Sequence, residues 1–271
     1  MNRRILHSRL AVVVVLTLLV ALYVWQPGGV RVLELVSDLL CLGAAALAAV
    51  LAFIAGSRFD HGSMQRRAWF LLGVGMAMWT AAECLWTVFQ IGTGQEVPYP
   101  SVADGIWAVG YLPLILGLYF VYGSLGVLLP ASRRVLVVMV YAALLAALTW
   151  WLLRPMFTGP AAASPAESFL GSYYLVGDLT LAFLATLSLI VVWDALIGRP
   201  WLSLTLGLLL FAISDSAFAY SAWEGIYAVG GNWQSGLIDV AYLTAYLMIV
   251  LAAFRQATLR LADVVRPGDA A

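Results

Sequence analysis

Eight apolar runs divide this chain, beginning near residues 10, 31, 68, 102, 133, 168, 200 and 235, with short polar segments between them. A run of about 20 residues crosses a hydrocarbon core of ~30 Å as an α-helix. The pattern therefore predicts eight transmembrane helices and an all-α polytopic membrane protein. The first run follows MNRRILHSR and is too long for a secretory leader, and QPGGV after it offers no small-x-small cleavage site, so it counts as a span.

Six acids interrupt these runs, in two sets of three: Asp38, Glu83 and Asp104, then Asp178, Asp215 and Asp239. An ionisable group on an apolar span is costly to insert and is by default a functional hypothesis. The sets fall at matching places. LVSDL at 35–39 recurs as LVGDL at 175–179, and AWFLLGVGMAMWTAAECLW aligns with PWLSLTLGLLLFAISDSAF. That alignment pairs Trp69 with Trp201, Gly75 with Gly207, Trp79 with Phe211, Glu83 with Asp215 and Trp86 with Phe218. ADGIWAVGY aligns with IDVAYLTAY, pairing Asp104 with Asp239, Trp107 with Tyr242 and Tyr111 with Tyr246. The reading is two tandem four-helix repeats, residues 1–127 and 128–258, and a tail at 259–271. An even number of spans per unit gives both copies one orientation, about an axis normal to the membrane, unlike inverted transporter repeats.

Helical spacing adds an aromatic wall to each acid. Trp79 and Trp86 flank Glu83, and Trp107 and Tyr111 follow Asp104 on one face. All six acids fall in the outer half of the spans, because Glu83 lies ~22 Å along its helix. One acidic, aromatic-walled cavity per repeat, open outward, is the expected geometry. The candidate binding residues are Asp38, Trp79, Glu83, Trp86, Asp104, Trp107, Tyr111, Asp178, Asp215, Asp239, Tyr242 and Tyr246.

Composition agrees with lipid as the solvent: 63% of residues are hydrophobic and 10% charged. There is no lysine, and twelve of the fourteen arginines fall in the N-terminus, around 57–67, at 133–134, at 199 or after 255. By the positive-inside rule both termini are cytoplasmic. Net charge is zero and no basic stripe exists, so nucleic acid is not an expected partner. The lipid bilayer is, and a bacterial inner membrane is the expected location.

Other roles for these residues stay open. Ser101 and Asp104 in SVAD fit a capping box, and Asp239 could cap the last helix three residues after Gly236. The mid-helix acids could be protonated groups bonding between helices. Salt bridges cannot neutralise six acids with so few arginines near, so they are protonated, hydrated or cation-bound. Cys41 and Cys84 sit beside acids, but neither is repeated, and small buried hydrophobes describe them better than metal ligands. His7 and His61 lie in arginine-rich cytoplasmic segments. Tyr99, Trp223, Tyr227 and Trp233 fit an interfacial belt. No HExxH, GxSxG, P-loop or glycine-rich nucleotide turn is present, so no catalytic constellation is visible and no enzyme is expected, while a cofactor stays unknown.

W-x3-E-x2-W followed by PYPSVADGIWAVGYLPLILGL resembles the N-terminal multi-helix membrane region of bacterial signalling proteins, in which it precedes diguanylate cyclase or phosphodiesterase (GGDEF/EAL) or histidine kinase modules. The resemblance implies a sensory input domain. Residues 1–271 hold no such module, so a cut-out input domain or a stand-alone relative is expected, with a cytoplasmic signalling module or a homo-oligomer as partner. The first functional expectation is a membrane sensor whose outward cavity binds a small ligand or cation. The alternatives are a cation, proton or small-solute transporter using the same carboxylates, and a protein binding an apolar cofactor or pigment among its eleven tryptophans.

Overall fold

The computed structural model describes residues 3–95, 97–125, 129–158, 164–193 and 198–259. These residues form helices without strands: α1 (Arg3–Trp25), α2 (Val30–Ser57), α3 (Met64–Thr93), α4 (Val102–Ser124) and α5 (Ala131–Leu148), then α6 (Pro165–Val192), α7 (Gly198–Trp223) and α8 (Trp233–Thr258). A π-turn at Thr149–Leu153 and one turn at Arg154–Thr158 prolong α5. Among the described residues, the seven helices α2–α8 are long and apolar enough to cross a membrane. The apolar stretch of α1 is shorter, Leu10–Trp25, so seven long spans stand where eight were expected. The expected tail at 259–271 lies outside the described residues beyond Leu259, as do residues 159–163 of the Ala/Pro/Ser loop.

Local chemistry sets the helix ends. The Ser63 hydroxyl accepts the Arg66 N–H at 3.2 Å, and Asn232 accepts the Ser235 N–H at 2.8 Å. Each satisfies one of the donors that a helix start leaves without a partner. Ser164 and Glu167 close a reciprocal box on α6, with Glu167 taking the Ser164 N–H at 2.6 Å. Gly94 ends α3 with φ +63°, a left-handed conformation that favours glycine, and its N–H reaches the Gln90 carbonyl at 2.9 Å.

Six helices close into a ring in the order α2, α3, α4, α6, α7, α8 and back to α2. α1 packs outside the ring, mainly on α8, and α5 lies outside it on α6. Of the α5 residues only Val137 is buried. α3 and α7 face each other across the middle through three aromatic pairs: Trp69–Trp201 at 6.0 Å between ring centroids, Trp79–Phe211 at 5.1 Å and Trp86–Phe218 at 6.5 Å. The pairing order requires that the two helices run side by side in the same direction.

Small residues permit the tight crossings. A Cβ on Gly75 would fall 2.4 Å from Leu114 Cγ on α4, and one on Gly207 would fall 2.9 Å from the Ala245 carbonyl oxygen on α8. The upper end of the bundle carries segments 26–29, 94–101 and 224–232, tied together in part by Gln26 Nε2, which donates to the Gly230 carbonyl at 2.7 Å. At the lower end the ring fills with Trp69, Leu72, Met76, Leu118, Leu204 and Leu208, around an apolar void of about 20 Å³.

Candidate functional site

The upper half of the ring holds a cavity of about 140 Å³. Four triplets at helical spacing build most of its wall. Trp79, Glu83 and Trp86 rise along one face of α3, and Phe211, Asp215 and Phe218 do the same on α7. Asp104, Trp107 and Tyr111 descend α4, and Asp239, Tyr242 and Tyr246 descend α8. Side chains at such spacings share a helix face, so each helix delivers one acid and two aromatic groups, the acid between them on α3 and α7 and before them on α4 and α8. Ser37, Asp38 and Cys41 of α2 and Tyr174 of α6 complete the ring, and Tyr99 and Tyr227 reach in from the upper loops.

The cavity joins a wider vestibule at the upper end, of about 860 Å³. Ser37, Asp38, Trp86, Tyr99, Phe218, Tyr227 and Asp239 line both hollows and therefore form the neck. Glu34 and Glu167 add acids to the vestibule. Among the described residues no arginine lines either hollow. Arg154 instead lies over the Trp150 ring at 4.3 Å, on the extension of α5.

Tyrosine hydroxyls occupy the carboxyl groups one by one. Tyr246 donates to Glu83 Oε1 at 2.6 Å, Tyr242 to Asp215 Oδ1 at 2.5 Å and Tyr111 to Asp178 Oδ1 at 2.5 Å. Tyr174 donates to Asp104 Oδ1 at 3.0 Å. Asp239 takes two, from Tyr23 of α1 at 2.5 Å and from Tyr227 at 2.6 Å. Asp38 Oδ2 in the cavity wall and Asp178 Oδ2 behind it are buried with no hydrogen-bond partner among the described residues. The buried Tyr99 hydroxyl has none either. Burial pushes the hydroxyl pKa of Tyr227 well above the ordinary tyrosine range, and the neighbouring Asp239 carboxyl adds to it. Burial raises that of Tyr99 too, helped by Asp104.

Eleven of the twelve expected residues line this cavity, and Asp178 stands behind Tyr111 rather than in the wall. Several expectations are corrected. The two sets of acids share a single cavity among the described residues, not one per set, because α3 and α7 meet through their aromatic faces and merge the two walls. Asp239 is not the cap of α8; Asn232 is, and Asp239 turns inward to two tyrosines. Tyr99 and Tyr227 belong to the neck rather than to an interfacial belt, whereas Trp233 is 73% exposed, as a belt residue is. Cys41 lines the cavity half-buried and Cys84 is exposed, so neither is the fully buried small hydrophobe expected, and no group of three metal-ligating side chains is found among the described residues. The capping box at Ser101 does form, with Asp104 Oδ2 taking the Ser101 N–H at 2.7 Å, yet Asp104 also faces the cavity.

Tyr174 and Tyr23 were missed. Tyr174 had a signal, since it stands four residues before Asp178, the aromatic-to-acid spacing of Trp79 to Glu83 and Phe211 to Asp215. Tyr23 had none, because only the fold brings α1 to Asp239. No protein-family model, curated protein or solved structure matches the chain.

Proposed function

We propose that the chain is a membrane sensory domain whose cavity binds a small ligand or cation arriving from the outer side. The observation that carries this reading is the cavity itself: acidic, aromatic-walled, free of arginine and joined to a vestibule at one end of the ring. A negative, low-dielectric cleft concentrates cations and repels anions. Beneath it the ring is filled by apolar side chains, which argues for binding without passage.

In this reading the protein has eight spans, both termini cytoplasmic and the upper end outside, in a bacterial inner membrane. It is a tandem duplication of residues 1–127 and 128–258. Three aromatic pairs matched by the alignment touch one another, and the matched glycines Gly75 and Gly207 sit at equivalent tight crossings, both in support of duplication. The resemblance of PYPSVAD and its flanks to signalling input regions supports a sensory role. Ligand binding at Tyr242 and Tyr246 would bear on α8, whose lower end at Thr258 leads to the tail and to any output module or second copy.

The test is reconstitution into vesicles of known orientation. Binding at the outer face without ion or solute flux is expected. A second reading, transport of a cation, a proton or a small solute, draws on the same carboxylates in the cavity wall. Flux that is abolished by Glu83→Gln or Asp215→Asn would replace the sensor by the transporter.

A further inference from the structure

We propose that the ligand of this cavity is a small protonated organic amine, its N–H on Asp38 Oδ2 and its body against Trp86 and Phe218. This rests on the reading of the cavity as an outward ligand site and names the chemistry that fits it. Four of the five carboxyl groups in the wall already accept tyrosine hydroxyls. Asp38 keeps a buried acceptor with no partner, and it stands at the neck, lining both hollows. A buried carboxylate oxygen demands a donor. The described residues supply none there, and a ligand would bring the donor.

The surrounding groups narrow the class. An anion is refused by five carboxyls in the cavity wall and by Glu34 and Glu167 in the vestibule. A divalent metal ion needs about six or more oxygen ligands around one point, and no cluster of three ligating side chains is found among the described residues. A neutral apolar molecule would leave Asp38 without a partner. An ammonium group satisfies Asp38, and aromatic faces attract it as well: Trp86 and Phe218, 6.5 Å apart between centroids, stand in the same neck. Size sets the body. A cavity of about 140 Å³ is close to the ~150 Å³ that accommodates a benzene ring. The Tyr99 hydroxyl, buried and without a partner, offers a second, neutral contact on the other side of the neck.

The experiment uses the full chain in lipid nanodiscs, with calorimetry and thermal unfolding against benzylammonium, benzyl alcohol, benzoate and calcium at constant ionic strength, and ethylammonium and butylammonium as smaller amines. Saturable binding of at least one amine is expected, with benzylammonium about ten-fold or more tighter than benzyl alcohol, and Asp38→Asn losing about the same factor. Benzoate and calcium should not bind. Trp86→Leu, which leaves the carboxyls alone, should weaken the amine a few-fold. Should Asp38→Asn fail to fold, the alcohol-to-amine ratio in the parent and the Trp86→Leu loss decide the matter. Equal affinity for benzyl alcohol, an unchanged Asp38→Asn, a calcium response that no amine displaces, or no response to any amine each overturns the amine assignment. Those results leave the outward-cavity reading standing. Passage of the amine across vesicles would instead overturn the sensor reading on which the assignment rests.

Discussion

The upper and lower halves of the same six helices are built on opposite principles. Below, Trp69, Leu72, Met76, Leu118, Leu204 and Leu208 close the ring around a void of about 20 Å³. Above, the same helices turn carboxyls, tyrosines and tryptophans inward around a cavity of about 140 Å³. In lipid, helices gain little from hiding apolar surface, and close packing holds them together. The lower half follows that rule and supplies the rigidity. The upper half gives up contact for a polar hollow, and hydrogen bonds between tyrosines and acids on different helices take its place. A molecule entering from above meets a floor, not a channel.

That contrast can be broken from either side. The largest effect should come from the floor: Trp69→Ala removes a ring packed against Trp201 and should cost about 3–5 kcal/mol of stability, read by thermal unfolding in a fixed lipid. Wedging apart the tight crossings comes next. Gly75→Val or Gly207→Val should cost about 1–3 kcal/mol, Gly207→Val the more, because its added carbon meets a backbone oxygen at 2.9 Å.

The upper half should be softer. Tyr246→Phe removes the donor to Glu83 and should cost about 1 kcal/mol while changing ligand response. Glu83→Gln keeps an acceptor for Tyr246 and should leave folding nearly unchanged. An unchanged ligand response in both variants would make that pair purely structural.

The smallest effect is one of pH at the mouth. Tyr227 has a folded pKa raised above the ordinary tyrosine value of 10.0 by burial and Asp239. Its contribution to stability is therefore fully present below pH 10.0 and is lost as pH rises beyond it, because the unfolded chain ionises first. Midpoints measured across that range should fall, and Tyr227→Phe should flatten the slope. A slope that survives the substitution would assign the loss to other groups.

Much of this was legible in the residues. Hydropathy placed the seven long helices, and the period of acid and aromatic positions named eleven residues of the cavity wall. Those signals are local, carried within single helices by spacing. What spacing cannot carry is the partner across the ring. Nothing near Tyr23 says that it will meet Asp239, 216 positions away. Nothing near Tyr99 or Tyr227 separates a belt residue from one folded over a neck, since both are aromatic groups beside a span. The merging of two expected cavities into one was hidden for the same reason, because it depends on how α3 and α7 face each other. Asp178 was named for its repeat position and proved to stand one layer back, behind Tyr111.

The line of rings between α3 and α7 also makes the protein its own optical gauge. Trp69 and Trp201 sit in the floor, Trp79 above them and Trp86 at the neck, whereas Trp25, Trp150, Trp151, Trp193 and Trp233 are 58–78% exposed. Brominated lipid and a soluble quencher silence outward-facing indoles, and what remains is emission from the interior column together with Trp107 and Trp223, which line the hollows. A guest in the cavity should then dim or shift Trp79 and Trp86 while Trp69 and Trp201 hold constant, so occupancy and depth are read from one unlabelled sample.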